Sequence, residues 1–113
     1  MARATIMQSL MGVIRERKTR ETGERSYVVE LMRGGVAKMG GKIVEEAAEV
    51  VEAGDEPGDV GRAHLVKEVA DLVFHAMVLL GYRDATWQDV EAELARRFGI
   101  SGIVEKESRR REG

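Results

Sequence analysis

Glu45, Glu46 and Glu49 fall in one segment of helical apolar period, and Glu68 and Asp71 fall in another further along the chain. In a helix, side chains three or four residues apart share a face. Glu46 with Glu49, and Glu68 with Asp71, are therefore i,i+3 pairs, each able to address one ion. Hard oxygen donors in a chain without cysteine suit Mg²⁺ or Mn²⁺ and exclude a thiolate zinc site. The same spacing also serves a network of salt bridges, and residue type alone leaves both readings open. Lys38 and Lys42 stand one helical turn apart on the same face as the acids. They either pair with Glu45, Glu46 and Glu49 or neutralise phosphate oxygens. His75 lies four residues after Asp71, where a hydrogen bond behind the carboxylates is expected ahead of direct ligation. His64, near the start of that segment, reads as a surface residue.

The elements that hold these groups read as helices. Thr5–Arg17 carries Ile6, Leu10, Val13 and Ile14 at helical spacing. Lys18–Ser26 is polar, contains Gly23 and reads as a loop. A short helix over Tyr27–Met32 ends at Gly34-Gly35, and a third helix spans Val36–Ala53 up to Gly54. Its Gly40-Gly41 pair costs about 1 kcal/mol per residue relative to Ala, so a kink or the close approach of another backbone or a ligand is expected there. Asp55–Gly61, with the only proline, reads as the linker to a fourth helix, Arg62–Leu80, that ends at Gly81. Thr86, with Asp89 three residues on, caps a fifth, Trp87–Phe98. Gly99–Gly113 reads as irregular or as a short terminal helix. No segment reads as a strand, and the expected fold class is all-α.

Projected at about 100° per residue, Lys42, Glu45, Glu46, Glu49 and Glu52 share an arc of about 120° on the third helix. Taken alone that is an amphipathic helix with a solvated acidic face. The fourth helix differs: His64, Lys67, Glu68, Asp71 and His75 form one polar stripe on a surface otherwise apolar. Such a helix is expected to be buried on most sides, so its acids need a compensating charge, from a neighbouring Lys or Arg or from a metal ion. The apolar excess also predicts a homodimer, in which two copies complete a four-helix-type core. Trp87 is expected to anchor the last helix, and Met7, Met11, Met32, Met39 and Met77 to fill the core or an interface.

The chain has 113 residues, enough for one domain over 1–113. Its 43% hydrophobic content excludes disorder, and its 4% aromatic content demands an aliphatic core. A net charge of −2 gives no reason to expect a nucleic acid as partner. Basic residues gather in Arg15–Arg25 and Lys106–Arg111, as solvated ends or as arms toward a phosphate-rich ligand. No apolar run is long enough to span a membrane and no signal peptide is read, so a cytoplasmic location is expected; the lack of cysteine agrees with it.

Glu45-Glu46-x-x-Glu49 followed by Glu68-x-x-Asp71 resembles the signature of the all-α nucleoside-triphosphate pyrophosphohydrolases. Ser26-Tyr27, Lys38 and Lys42 before EEAAEVVEA, ADLVFHAMVLL at Ala70–Leu80, WQDVEAELARRF and the ending GISGIVEKESRR extend the likeness to the phosphoribosyl-ATP pyrophosphatase branch. Two positions depart from that branch: Gly41 replaces one of a lysine pair, and Phe74 replaces a tyrosine. The resemblance implies hydrolysis of phosphoribosyl-ATP at the α–β phosphoanhydride, giving phosphoribosyl-AMP and pyrophosphate in histidine biosynthesis. It further implies Mg²⁺ bound by Glu46, Glu49, Glu68 and Asp71 and activating a water, with Glu45 an extra ligand or a water-orienting base. Two other readings fit the acidic pattern: a house-cleaning nucleoside-triphosphate pyrophosphohydrolase, and a non-catalytic helical dimerisation module.

Overall fold

The computed structural model describes residues 4–19 and 26–98, and every regular element among them is a helix. The first, α1, runs Ile6–Thr19. Thr5 and Gln8 close it reciprocally, the Gln8 N–H donating to Thr5 Oγ1 (3.1 Å) and the Thr5 N–H to Gln8 Oε1 (2.9 Å). That capping box fixes the start. The helix also takes in Lys18 and Thr19, expected in the following loop. Lys18 Nζ reaches the carbonyl of Tyr82 at 2.8 Å and Asp84 at 2.7 Å, which ties the end of α1 across the molecule.

The short α2 (Tyr27–Arg33) passes almost directly into α3 (Gly35–Gly54). Gly35 adopts φ +69°, a left-handed conformation that side chains other than glycine rarely take, where α2 gives way to α3. The 20-residue α3 remains one uninterrupted helix through Gly40-Gly41. Apart from the helix's own backbone, no described atom lies within 4 Å of where a Cβ would stand at either glycine, so no described residue makes the close approach expected there.

The fourth helix, α4, spans Gly58–Tyr82, four residues earlier at its start than the sequence pattern indicates. Proline lacks an N–H and so can stand where a helix begins. The carbonyl of Pro57 accepts the Gly61 N–H at 3.3 Å, so the linker shrinks to Asp55–Pro57. The last helix, α5 (Trp87–Phe98), opens with the expected box: Asp89 N–H to Thr86 Oγ1 at 3.1 Å and Thr86 N–H to Asp89 Oδ2 at 2.8 Å.

Antiparallel α3 and α4 form the principal pair, and α1 and α2 pack across one end of it. There Met11 and Ile14 of α1, Val28 and Leu31 of α2, Met39 of α3, and Met77 and Val78 of α4 make one aliphatic cluster. Gly81 lets α1 approach closely, since a Cβ there would meet Ile14 Cγ2 at 2.8 Å. Met7, Met32 and Trp87 pack around the cluster in the filling and anchoring parts expected of them.

The buried face of α3 is rotated from the simple amphipathic reading: Glu45 and Glu52 are exposed and Ile43, Ala47 and Val50 part-buried as expected, but other positions are exchanged. Met39, Glu46 and Ala53, one heptad apart, form its buried stripe, whereas Val44 (71% exposed) and Val51 (69%) point outward. Of the acidic stripe, Glu46 and Glu49 face Glu68 on α4, whereas Glu45 and Glu52 are exposed. Nor is α4 covered on most sides: Val66 is 66% exposed, and Val60 and Val69 are also open. A groove of about 360 Å³, lined by Ile43, Ala76, Leu79, Leu80, Arg83, Trp87 and Val90, continues this apolar exterior.

Candidate functional site

Midway along the hairpin, a carboxylate oxygen from each of Glu46, Glu68 and Asp71 lies within 4.8 Å of the others. The antiparallel crossing sets Glu46 opposite α4, and the i,i+3 spacing puts Glu68 and Asp71 on the same side of α4. Glu68 is 3% exposed and Glu46 8%. Oε2 of each is buried without a hydrogen-bond partner. Unpaired carboxylate oxygens withdrawn from water are costly, and nearby like charges add to the cost. The donor set is all hard oxygen, with two acceptor atoms unused, which fits a divalent cation.

Glu49, one turn beyond Glu46 on α3, stands at the edge of this group. Hydrogen bonding with Glu68, then with Glu46, raises its carboxyl from 4.5 to about 7, with burial and the two charges adding to the shift. The Glu49 hydrogen bond in turn lowers Glu68. One proton is therefore shared among these acids and favours Glu49.

Glu45 points elsewhere. Its exposed carboxylate is 3.6 Å from Lys42 Nζ, outside the trio. Lys42 is thus on the acidic side of α3, already next to one carboxylate. Lys38 is exposed, its aliphatic stem lying over Gly34.

His75 is buried and lies behind the carboxylates. Its Nδ1 donates to the main-chain carbonyl of Asp71 at 2.7 Å, and its Nε2 is 2.8 Å from the Tyr27 hydroxyl. A carbonyl can only accept, so Nδ1 carries a proton and, in the neutral ring, Nε2 accepts from Tyr27. The Tyr27 ring stacks on Phe74 at 6.0 Å between centroids. Together these contacts pin α2 to α4 one turn from Asp71.

His64 is part-exposed, in keeping with its surface reading, but it is engaged at both ring nitrogens. Its Nε2 is 3.2 Å from Glu68 Oε1, and its Nδ1 is 2.9 Å from a Glu56 oxygen. The hydrogen bond that His64 donates to Glu56 raises the His64 pKa, opposed by burial. The i,i+4 relation of His64 to Glu68 was visible in the sequence; the loop residue Glu56, which completes the link, carried no such signal.

Comparison with known proteins bears on this arrangement. A family model described as "Phosphoribosyl-ATP pyrophosphohydrolase" matches residues 7–98. The chain belongs to the phosphoribosyl-ATP pyrophosphohydrolase family. Among similar members, the phosphoribosyl-ATP pyrophosphatase of Rhodopirellula baltica is 50% identical over 91% of this chain and 85% of its own length. That of Geotalea daltonii is 48% identical over 94% and 96%. That of Neisseria meningitidis serogroup B is 44% identical over 93% and 94%. The family match takes in the five described helices except for Ile6 at the start of α1, and both acidic pairs lie inside it. Among the described residues of this family member, no helix is long and apolar enough to cross a membrane.

Proposed function

We infer that Glu46, Glu68 and Asp71, with Glu49 at their edge, form the metal centre at which this family member hydrolyses phosphoribosyl-ATP to phosphoribosyl-AMP and pyrophosphate. Family membership carries the reaction, a step of histidine biosynthesis. The observation that carries the site is the pair of buried, unpartnered oxygens on Glu46 and Glu68. Mg²⁺ suits the donors best, with Mn²⁺ as substitute. When bound, the ion supplies charge neutralisation to the phosphoanhydride and lowers the pKa of an attacking water.

The chain's own groups do the rest. Attack at the α-phosphorus forms a new P–O bond and breaks the α–β bridge, and pyrophosphate leaves with the bridging oxygen. Lys42 and Lys38, on the acidic side of α3, are proposed to meet the phosphate oxygens, and Glu45 to orient water beside them. Tyr27 and His75 hold the Asp71 main chain in register, so that its carboxylate stays opposite Glu46.

The outward valines of α3 and α4 and the groove beside Trp87 support a second element of this reading. A second copy, packing its own α3 and α4 there, covers apolar surface that one chain leaves bare and completes a four-helix core.

Pyrophosphate release is measured from phosphoribosyl-ATP and from a panel of ordinary nucleoside triphosphates, with Mg²⁺ and with excess chelator. Release from phosphoribosyl-ATP that depends on Mg²⁺ is expected. Glu49→Gln should lose roughly a hundredfold or more in kcat with its helical circular dichroism unchanged. Full turnover in chelator would overturn the metal centre, and preference for ordinary triphosphates would overturn the substrate.

A further inference from the structure

Glu68 is gripped from outside the acidic group. Its Oε1 lies 3.2 Å from His64 Nε2, while Oε2 is the buried atom left without a partner. His64 is gripped in its turn: Nδ1 is 3.0 and 2.9 Å from the two oxygens of Glu56. Glu56 belongs to the short connection between α3 and α4, which reaches His64 by lying flat on the first turn of α4. A Cβ at Gly61 would stand 2.2 Å from the Glu56 carbonyl oxygen, so that fit requires glycine at 61. A chain of contacts therefore runs from the hairpin connection through an imidazole to one carboxylate of the trio.

We propose that Glu56 and His64 are positioning residues that hold Glu68 in its ion-receiving orientation, an inference that rests on the metal-centre reading above. The physical need is plain. The ionised carboxylates of Glu46, Glu68 and Asp71 repel one another, and a glutamate side chain has three rotatable bonds by which to swing away. The His64 ring, 3.2 Å from Oε1 and one helical turn earlier, stands in the way of that escape, and the Glu56 carboxylate fixes the ring. An ion then meets an arranged carboxylate and need not order it on arrival. Lys67 Nζ also comes within 3.6 Å of Oε1, but its side chain is 73% exposed against 38% for His64, and it makes no second ion pair among the described residues. It adds charge near the site without fixing a direction.

Mn²⁺ binding at one fixed pH, followed by the loss of the free-ion paramagnetic resonance signal, tests this. His64→Ala should weaken Mn²⁺ binding roughly 10–100-fold. His64→Gln, whose amide can donate to Glu68 from the same turn, should recover most of that loss. Glu56→Ala, in the connection and away from the core, should show a smaller loss, and Lys67→Ala a change of less than about threefold. Saturating Mg²⁺ should restore kcat in His64→Ala, which separates misplacement of a ligand from damage to the fold. Wild-type affinity in both His64→Ala and Glu56→Ala overturns the proposal. Tighter binding in His64→Ala also overturns it, since His64 would then be a cation competing for the site. Absence of Mn²⁺ binding by the unsubstituted protein overturns the metal-centre reading itself.

Discussion

Glu49 makes the protein's stability depend on pH in a definite direction. Its carboxyl is raised from 4.5 to about 7 in the folded, metal-free chain. Between those values the folded state keeps a proton that the unfolded state releases. The stabilisation is fully present below pH 4.5 and is lost as pH rises through 7. Glu68, lowered by the same hydrogen bond, acts oppositely: its stabilisation is present above pH 4.5 and fades as pH falls through its depressed value. His64, raised above 6.5 chiefly by Glu56, reinforces the decline on the alkaline side. In chelator, the urea midpoint should therefore fall from pH 5 to pH 7.5, and Mg²⁺ should abolish much of the fall by taking the place of the shared proton. Glu49→Gln should flatten the acid half of the curve; an unchanged slope would show that Glu49 is not the group concerned. The candidate residues on both helices were legible because i,i+3 spacing is a property of one helix. The reach of Glu56 to His64 was hidden, since it depends on how a loop folds back.

Helix identity was likewise open to reading, because caps and apolar period are local. Thr86 with Asp89 announced α5, and Gly54 announced the end of α3. The start of α4 was obscured because Pro57 and Gly58 signal a turn as readily as a first helical residue. The orientation of α3 was hidden for a deeper reason: a helical wheel tells which residues share a face, and only the neighbour decides which face turns inward. Two glycines probe this packing from opposite sides. Gly81→Ala brings a Cβ to 2.8 Å from the buried, branched Ile14 side chain. Overpacking of about 1–3 kcal/mol outweighs a gain of about 1 kcal/mol in helix propensity. Gly40→Ala meets no described atom within 4 Å and should stabilise the free chain by up to about 1 kcal/mol. Urea midpoints of the two variants should move in opposite directions; movement in the same direction would contradict the α1–α4 contact at Gly81.

Taken together, the hairpin buries carboxylates at its middle and leaves Val44, Val51 and Val66 outward, and the second copy proposed above would cover those valines. Light scattering at micromolar concentration should give twice the 12.5 kDa chain mass. Val44→Glu with Val51→Glu should shift the protein toward monomer by burying charge at the contact. A monomeric unsubstituted protein would refute the pairing. The placement of the core has a consequence for motion. Met11, Ile14, Leu31, Met77 and Val78 clamp one end of the hairpin, whereas Ala53 and Gly61 are the small buried residues near its connection. Local opening is easiest where few apolar side chains must separate. In metal-free protein, amide hydrogens around the α3–α4 connection should exchange with deuterium well before those at 77–81, and loading with Mg²⁺ should slow the former selectively. The ion would then act as a clasp for the end of the molecule that the core does not reach.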